Sequence, residues 1–419
     1  MCKLEAVVIA DDLTGAADTG VQFAAGGSPV YLLPVETLSL ARPWLAMATG
    51  LSVHTASREL SAQEAGERVR SAARALPDPY PRWIYKKIDS CLRGNLGAET
   101  DALLDTLGLD AALVAPALPA QGRTTIGGIH QVYGIPLAET QFARDPLTPV
   151  TCSSVTQVLA HQSRYEIGRV AVDAYGDPGR LQDAVRRERE RGCRLIVCDA
   201  AEQAHLDQVA ALVVRDAEYL LPVGSAGLAA SLAGRLASDR TVEPVPAPGP
   251  ERLLIVCGTG AQATREQLDV LLDKYPSVRH EPVFEWLITA SVRDRRRCAG
   301  ALLDAWTGGA LILRVRSLPS TSPLSDLKRA AAGLGGLASE IIRAGPVDGL
   351  FLSGGETADA VRRAAGGEAI ELQREILPGL VLGRWVGGVA DGLPVVTKAG
   401  AFGDKQTLIA LCERLSEGD

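Results

Sequence analysis

Two adjacent carboxylates, Asp11 and Asp12, follow the apolar run at residues 6–10, and Thr14-Gly15 come next. At a strand end such a pair can hold a hydroxyl, bind a cation or accept a proton. It can equally cap the helix that follows. A second polar segment, Lys86-Lys87-Ile88-Asp89-Ser90-Cys91-Leu92-Arg93-Gly94-Asn95, gathers two lysines, an aspartate and an arginine. A base beside fixed positive charge suits an acidic substrate that carries hydroxyls, and a guanidinium offers a fork that matches a carboxylate. Surface ion pairing is the plainer reading. The third segment, PALPAQGRTT at 116–125, presents Gly122, Arg123, Thr124 and Thr125 from a proline-bounded stretch that reads as a loop. A turn with a helix cap would use the same residues. Three such loops at three strand ends are expected to converge on a compact cationic pocket for a polyhydroxylated acid.

The second half carries three glycine turns. Gly258-Thr259-Gly260-Ala261 stands between a predicted strand and helix, Gly354-Gly355-Glu356-Thr357 repeats that arrangement, and Lys398-Ala399-Gly400-Ala401-Phe402-Gly403 adds a lysine beside a third turn. A glycine turn at a helix start aims backbone N–H groups at an anion. One turn means little, but three at strand ends fit a nucleotide polyphosphate. No G-x-x-x-x-G-K-[ST] loop is present, and no clear dinucleotide fingerprint.

The elements that must position these residues read as alternating strands and helices. Strands are expected at 6–10, 83–86, 111–115, 169–172, 195–198 and 219–223, then at 252–256, 309–314, 349–353 and 394–398. Helices are expected at 177–191 and 201–214. Short apolar runs separated by helical stretches predict an α/β fold with mostly parallel sheets and ligand loops at the strands' carboxyl ends. Four prolines within Glu243-Pro244-Val245-Pro246-Ala247-Pro248-Gly249-Pro250 can continue neither a helix nor a central strand, so two domains are expected, 1–243 and 251–419, with 244–250 as linker. A hydrophobic fraction of 47% against 22% charged residues is enough for large cores and argues against disorder. The net charge of −7 makes nucleic acid a poor partner. The short basic run Arg293-Asp294-Arg295-Arg296-Arg297 reads as a solvated helix face. Eight scattered cysteines without zinc spacing read as buried free thiols of a reducing compartment. With neither a leader-like start nor a membrane-length apolar run, a cytoplasmic protein is expected.

Taken in order, IADDLTGAADTG (9–20), KKIDSCLRGN (86–95), PALPAQGRTT (116–125), DPLTP (145–149), GSAGLA (224–229), SGGETA (353–358) and KAGAFG (398–403) resemble the four-carbon acid sugar kinase family. The resemblance runs the length of the chain. It implies a sugar-acid-binding N-terminal domain, a nucleotide-binding C-terminal domain and an active site in the cleft between them. ATP and Mg²⁺ are the implied cofactors, with a small sugar acid as partner; a homo-oligomer is permitted and a membrane is not involved. The implied reaction phosphorylates the terminal hydroxyl of a tetronate such as threonate, erythronate or 3-oxo-tetronate. Asp12 or Asp89 would take the hydroxyl proton. Asp11, Lys87, Ser90, Arg93, Gly122, Arg123, Thr124 and Thr125 would bind the acid, and the three glycine turns the nucleotide.

Three positions depart from the family pattern. Ala261 stands where a second hydroxyl is usual, Cys91 where threonine is common, and Ala401 where glycine is common. Two other classes stay open: an acid-sensing module that binds no ATP, and a nicotinamide-dependent dehydrogenase. The dehydrogenase reading lacks a G-x-G-x-x-G after the first strand, where Asp11-Asp12 stand instead.

Overall fold

A computed structural model describes residues 4–24, 27–38, 42–77, 80–145, 148–236, 251–275, 277–316 and 322–417. The chain divides into two compact units, Met1–Arg240 and Thr241–Asp419. Residues 244–250, read above as a linker, lie outside the described residues.

The first unit is a parallel sheet in the order Val30–Pro34, Gly50–His54, Ala6–Ala10, Trp83–Lys87, Leu220–Gly224, Ala111–Ala115, Leu195–Cys198, Ile167–Val170. Most of its strands are short apolar runs buried on both sides, as helices on both faces of a parallel sheet require. Ala6–Ala10 leads through helix Leu13–Phe23 to Val30–Pro34 on one side, whereas its neighbour Trp83–Lys87 leads through helix Leu96–Leu107 to Ala111–Ala115 on the other. The loops after these two strands therefore diverge and leave a crevice at their carboxyl ends, where open α/β sheets bind ligands. Asp11-Asp12 and Lys87–Asn95 stand at that point.

The sequence missed Val30–Pro34 and Gly50–His54. In the second of these, Ser52 and His54 interrupt the apolar signal, although both are buried. Two strands lie slightly off their expected places, at Ile167–Val170 and Leu220–Gly224. The segment 123–125 is no loop. After a left-handed Gly122 (φ 66°), Arg123–Ile126 forms a strand of a small antiparallel sheet with Ile129–Val132 and Ile135–Pro136. The hairpin turn behind it is Gly127-Gly128, with φ of 63° and 76°, the positive pair that a tight two-residue hairpin requires.

The second unit's sheet runs Ser277–His280, Gly309–Arg314, Arg252–Cys257, Gly349–Ser353, Pro394–Lys398, Leu380–Val386, Ala369–Leu377. The first five strands are parallel, and Leu380–Val386 is antiparallel to both its neighbours. Helices Gln262–Lys274 and Thr407–Glu417 bury Leu268, Leu271, Leu408 and Leu411 against Ile255, Ile312 and Phe351. Here too two adjacent strands send their chains opposite ways. Arg252–Cys257 leads through Gln262–Lys274 to Ser277–His280, and Gly349–Ser353 through Gly355–Ala365 to Ala369–Leu377.

Arg293, Arg296 and Arg297 are exposed on helix Val292–Ala305, as a solvated face requires. Among the described cysteines, Cys152, Cys298 and Cys412 are only half-buried, and Cys91, Cys193, Cys198 and Cys257 are buried; all seven are free thiols. No helix of the described residues is long and apolar enough to cross a membrane.

Candidate functional site

Asp12 caps helix Leu13–Phe23. Its Oδ1 accepts from the Gly15 N–H at 3.0 Å and its Oδ2 from the Thr14 hydroxyl at 2.7 Å. The capping reading and the chemical reading are both realised, because the same carboxylate belongs to a buried network. Arg58 donates from Nε to Asp11 Oδ2 at 2.6 Å and from Nη2 to Asp12 Oδ1 at 2.7 Å, and its Nη2 lies 3.7 Å from Asp89 Oδ1. Arg93 grips Asp89 with two bonds, Nε to Oδ2 at 2.9 Å and Nη2 to Oδ1 at 3.0 Å, and gives Nη1 to Asp145 at 3.2 Å. That leaves two guanidinium N–H bonds of Arg93 unspent, since the group carries five.

Arg58 was not singled out from the sequence. It follows the unrecognised strand Gly50–His54, reached through Ala56 at φ 48°, and the loop bearing Arg93 passes through Leu92 at φ 60°. Left-handed backbone at residues other than glycine is uncommon and is kept where the surroundings over-determine it.

The electrostatics correct the expectation of a cationic pocket. Asp11, Asp12, Asp18, Asp89 and Asp145 face Arg58, Lys87, Arg93 and Arg123, so the cluster is nearly balanced. Burial pushes the Asp12 carboxyl up, but Arg58, Lys87 and the Thr14 hydrogen bond outweigh it and hold it below its ordinary value. Asp89 is opposed by burial in the same way and sits well below the usual carboxylate range, because Arg93 and Arg58 hold it ionised. With both oxygens gripped by Arg93 and the Cys91 N–H also donating to Oδ2 at 3.1 Å, Asp89 is the poorer proton acceptor of the two. The Ser90 hydroxyl is buried beside it.

The third segment is split. Arg123 is buried and donates Nε to Cys91 Sγ at 3.4 Å, which joins it to the Asp89 loop through the residue that departs from the family pattern. Thr125 is buried elsewhere, its hydroxyl 2.9 Å from His130 Nδ1 and its N–H on the Ala200 carbonyl. Thr124 alternates to the opposite face of its strand from Arg123. Gly122 serves the turn.

His130, also missed, ties the segments together. Its Nε2 lies 2.8 Å from the Ser90 carbonyl, which can only accept, so Nε2 carries the proton and Nδ1 accepts from Thr125. Burial, then Arg123, lowers its pKa from 6.5 to about 4. The sign follows directly: between pH 6.5 and 4 the unfolded chain binds a proton that the folded chain refuses. The first unit is therefore expected to lose about 3 kcal/mol across that window. Denaturant titrations of wild type and His130→Gln at pH 7, 5.5 and 4.5 check this. Equal pH slopes in the two proteins would reject the assignment.

In the second unit the three turns meet around Thr259. A Cβ on Gly400 would stand 2.5 Å from Thr259 Oγ1, and one on Gly354 (φ 95°) 3.4 Å from Thr259 Cβ. The Gly258 N–H donates to Thr357 Oγ1 at 3.2 Å, and the Ala261 N–H to Thr259 Oγ1 at 3.1 Å. The amino ends of helices Gln262–Lys274 and Gly355–Ala365 and the turn Gly400–Gly403 thus share one locality, with first-turn N–H groups available to an anion. Gly260 is exposed and Ala401 half-buried.

Lys398 does not point into this cradle. It is fully buried, and Nζ donates to Thr264 Oγ1 at 3.1 Å and to the carbonyls of Ala399, Gly400 and Phe402 at 3.0, 3.3 and 3.1 Å. Burial lowers its pKa to about 8. The lysine shapes the turn from beneath. Glu356 lies 3.6 Å from Arg363 on the same helix. No group of three or more His, Cys, Asp or Glu among the described residues could hold a metal ion.

A fold of two α/β units, one with an acid–base network at a strand switch point and one with a cradle of N–H groups, defines a class that handles a polar small molecule and an anion. Residues 6–232 match the model of a sugar-binding N-terminal domain and residues 254–408 that of a nucleotide-binding C-terminal domain, and the chain belongs to this family. It is 33% identical to a D-erythronate kinase of Heliobacterium modesticaldum, covering 95% of this chain and 94% of that one. It is 33% identical to a D-threonate kinase of Salmonella typhimurium over 97% of each chain. A solved structure from Salmonella typhimurium LT2, described as a tRNA synthase, superposes with a TM-score of 0.80 at 25% identity, over 97% of this chain and 98% of that one.

Proposed function

We propose that this chain is an ATP-dependent kinase that phosphorylates the terminal hydroxyl of a four-carbon sugar acid, D-threonate, D-erythronate or 3-oxo-tetronate, in sugar-acid catabolism. Residues 1–243 bind the acid and residues 251–419 the nucleotide. The observation that carries the reading is the joining of Asp12, Asp89 and Arg93 through Arg58 in one buried network at the sheet's switch point. It lies in the unit that matches a sugar-binding domain, and the cradle around Thr259 lies in the unit that matches a nucleotide-binding one.

In this reading the two spare N–H bonds of Arg93, with Arg123 and the Ser90 hydroxyl, hold the acid's carboxylate. Asp12 orients the terminal hydroxyl and takes its proton as the new O–P bond forms; Asp11 and Asp89 fix Arg58 and Arg93. The N–H groups of Thr259, Gly260, Gly355, Glu356, Thr357, Ala399, Gly400, Ala401 and Gly403 are the donors available to the polyphosphate, while those of Gly258, Ala261 and Gly354 are spent on Thr357, Thr259 and the Lys398 carbonyl and shape the turns. Mg²⁺ arrives with the nucleotide, held by phosphate oxygens and water, and no side-chain step is derived through it. The work left to the protein is positioning and charge stabilisation, the main demands of phosphoryl transfer. A net charge of −7 gives nucleic acid no part in the reading.

The test is ATP turnover with D-threonate, D-erythronate, L-threonate and 3-oxo-tetronate; background rates with all four would remove the substrate claim. For the nucleotide half, Gly400→Ala is expected to displace the Thr259 hydroxyl. Its ATP-analogue Kd should rise about tenfold or more, ~1.4 kcal/mol, with acid binding unchanged. Calorimetry on both ligands checks this, and an unaltered nucleotide Kd rejects the cradle.

A further inference from the structure

Lys87 differs from every other cation of the network. Its side chain is nearly fully buried, at 3% exposure, yet Nζ makes no hydrogen bond or close ion pair with any described residue. Arg58 and Arg93 are committed to carboxylates, and Lys86, next in sequence, to Glu99 at 2.7 Å. Lys87 is nonetheless held charged: burial opposes its charge, but Asp18, Asp12, Asp11 and Asp89 together raise its pKa.

The position of Nζ is informative. A Cβ on Gly15 would stand 2.7 Å from Lys87 Nζ and 2.5 Å from Asp12 Oδ1. The ammonium and the carboxylate thus flank one bare stretch of backbone in the first turn of the 11-residue helix Leu13–Phe23. The Leu13 and Thr14 N–H groups at that helix end likewise donate to nothing among the described residues. Three unspent donors around one helix start, one of them a buried cation, form an oxyanion site.

We propose that Lys87 and the amino end of helix Leu13–Phe23 form a phosphoryl subsite, for the group in transit and for the phosphate monoester it becomes, and do not hold the substrate's carboxylate. This rests on the kinase reading above and deepens it. A substrate carboxylate beside Asp12 would meet a like charge that persists, whereas the hydroxyl belongs there, and the proton Asp12 takes from it removes that charge as the phosphoryl group arrives. The atom bonded to that oxygen after reaction is phosphorus. In the step, the hydroxyl oxygen bonds to the γ-phosphorus and its proton passes to Asp12. The bond from that phosphorus to the bridging oxygen breaks, and ADP leaves with the electron pair. Lys87 neutralises the equatorial oxygens throughout.

The experiment compares full-length wild type, Lys87→Met and Gly15→Ala, the last placing a methyl between Nζ and Asp12 as a second route should Lys87→Met fail to fold. The acid turned over by wild type is titrated without nucleotide, kcat is measured at saturation, and the phosphorylated product isolated from wild-type turnover is titrated separately. The proposal expects acid Kd within about threefold, kcat lower by on the order of 10²–10³-fold, and product Kd raised about tenfold or more. An acid Kd raised tenfold or more with kcat nearly intact would overturn it, since Lys87 would then hold the carboxylate. So would three unchanged values. Inorganic phosphate titrated into wild type and Lys87→Met separates the two levels of the argument. Phosphate binding lost in the variant supports the subsite even where no tetronate is phosphorylated, a result that removes the kinase reading alone.

Discussion

Asp12→Asn should lower kcat by roughly 10²–10⁴-fold, the usual worth of a positioned acid–base group, and leave the melting temperature almost unchanged. The two halves of that expectation come from the residue's two jobs. Asparagine caps a helix about as well as aspartate: its amide oxygen still accepts from the Gly15 N–H, and its amide nitrogen donates to the Thr14 hydroxyl where the carboxylate had accepted from it. Arg58 keeps its two bonds to Asp11. What disappears is the negative charge and the capacity to take a proton. Alanine would confuse the matter by removing the cap as well. Steady-state kinetics at saturating acid and ATP, with a thermal melt alongside, separate the roles; a kcat within about threefold of wild type removes Asp12 as base. Because Asp12 is held below its ordinary value of 3.8, it is ionised through the neutral range. An acid limb on the kcat profile above pH 5 would therefore belong to another group.

Arg58→Met should strongly destabilise the first unit. The guanidinium is 11% exposed, touches Asp11 and Asp12, and lies near Asp89. Its removal strands buried carboxylates, a change that costs about 3–5 kcal/mol where one partner of a buried pair is lost. For a unit of this size that is a drop of roughly 6–20 °C in melting temperature. The double variant Arg58→Met, Asp11→Asn should recover part of the loss, because one orphaned charge goes with the arginine. The pH dependence has a definite sign. Asp12 and Asp89 are depressed in the folded state, so the stability they contribute is complete above 3.8 and is lost as pH falls through their lower folded values. The gap between wild type and variant should therefore be widest near neutral pH and narrow in strong acid. A melting temperature within 2 °C of wild type at pH 7 would show that the ring of carboxylates does not depend on Arg58.

What could be read in advance follows from how each signal is written. Strands such as Ala6–Ala10 and Leu195–Cys198 are uninterrupted apolar runs, and burial on both faces demands that pattern. Gly50–His54 is as buried as they are, but its Ser52 hydroxyl bonds to the Ala16 carbonyl, so a polar residue can sit in the core and break the apolar run. Arg58 vanished with that strand. His130 was invisible for a related reason: a lone histidine in a chain gives no sign that its ring bridges Ser90 and Thr125. Lys398 shows the converse error. A lysine beside a glycine turn looks like a phosphate ligand, and only geometry reveals four oxygens already claiming its ammonium. The motifs gave residue type and strand end correctly; direction around the strand was beyond them.

Direction matters most for the twin lysines. On a pleated strand, neighbours project to opposite sides. Lys86 meets Glu99 on one side of the sheet and Lys87 meets the bare backbone of Gly15 on the other. Chemically identical residues thus carry unrelated duties, one a rivet and the other an open hand. A single inserted or deleted residue within Trp83–Lys87 would turn each lysine to the other's face. The doublet is better regarded as a parity mark: it works only while the count of residues leading up to it is preserved.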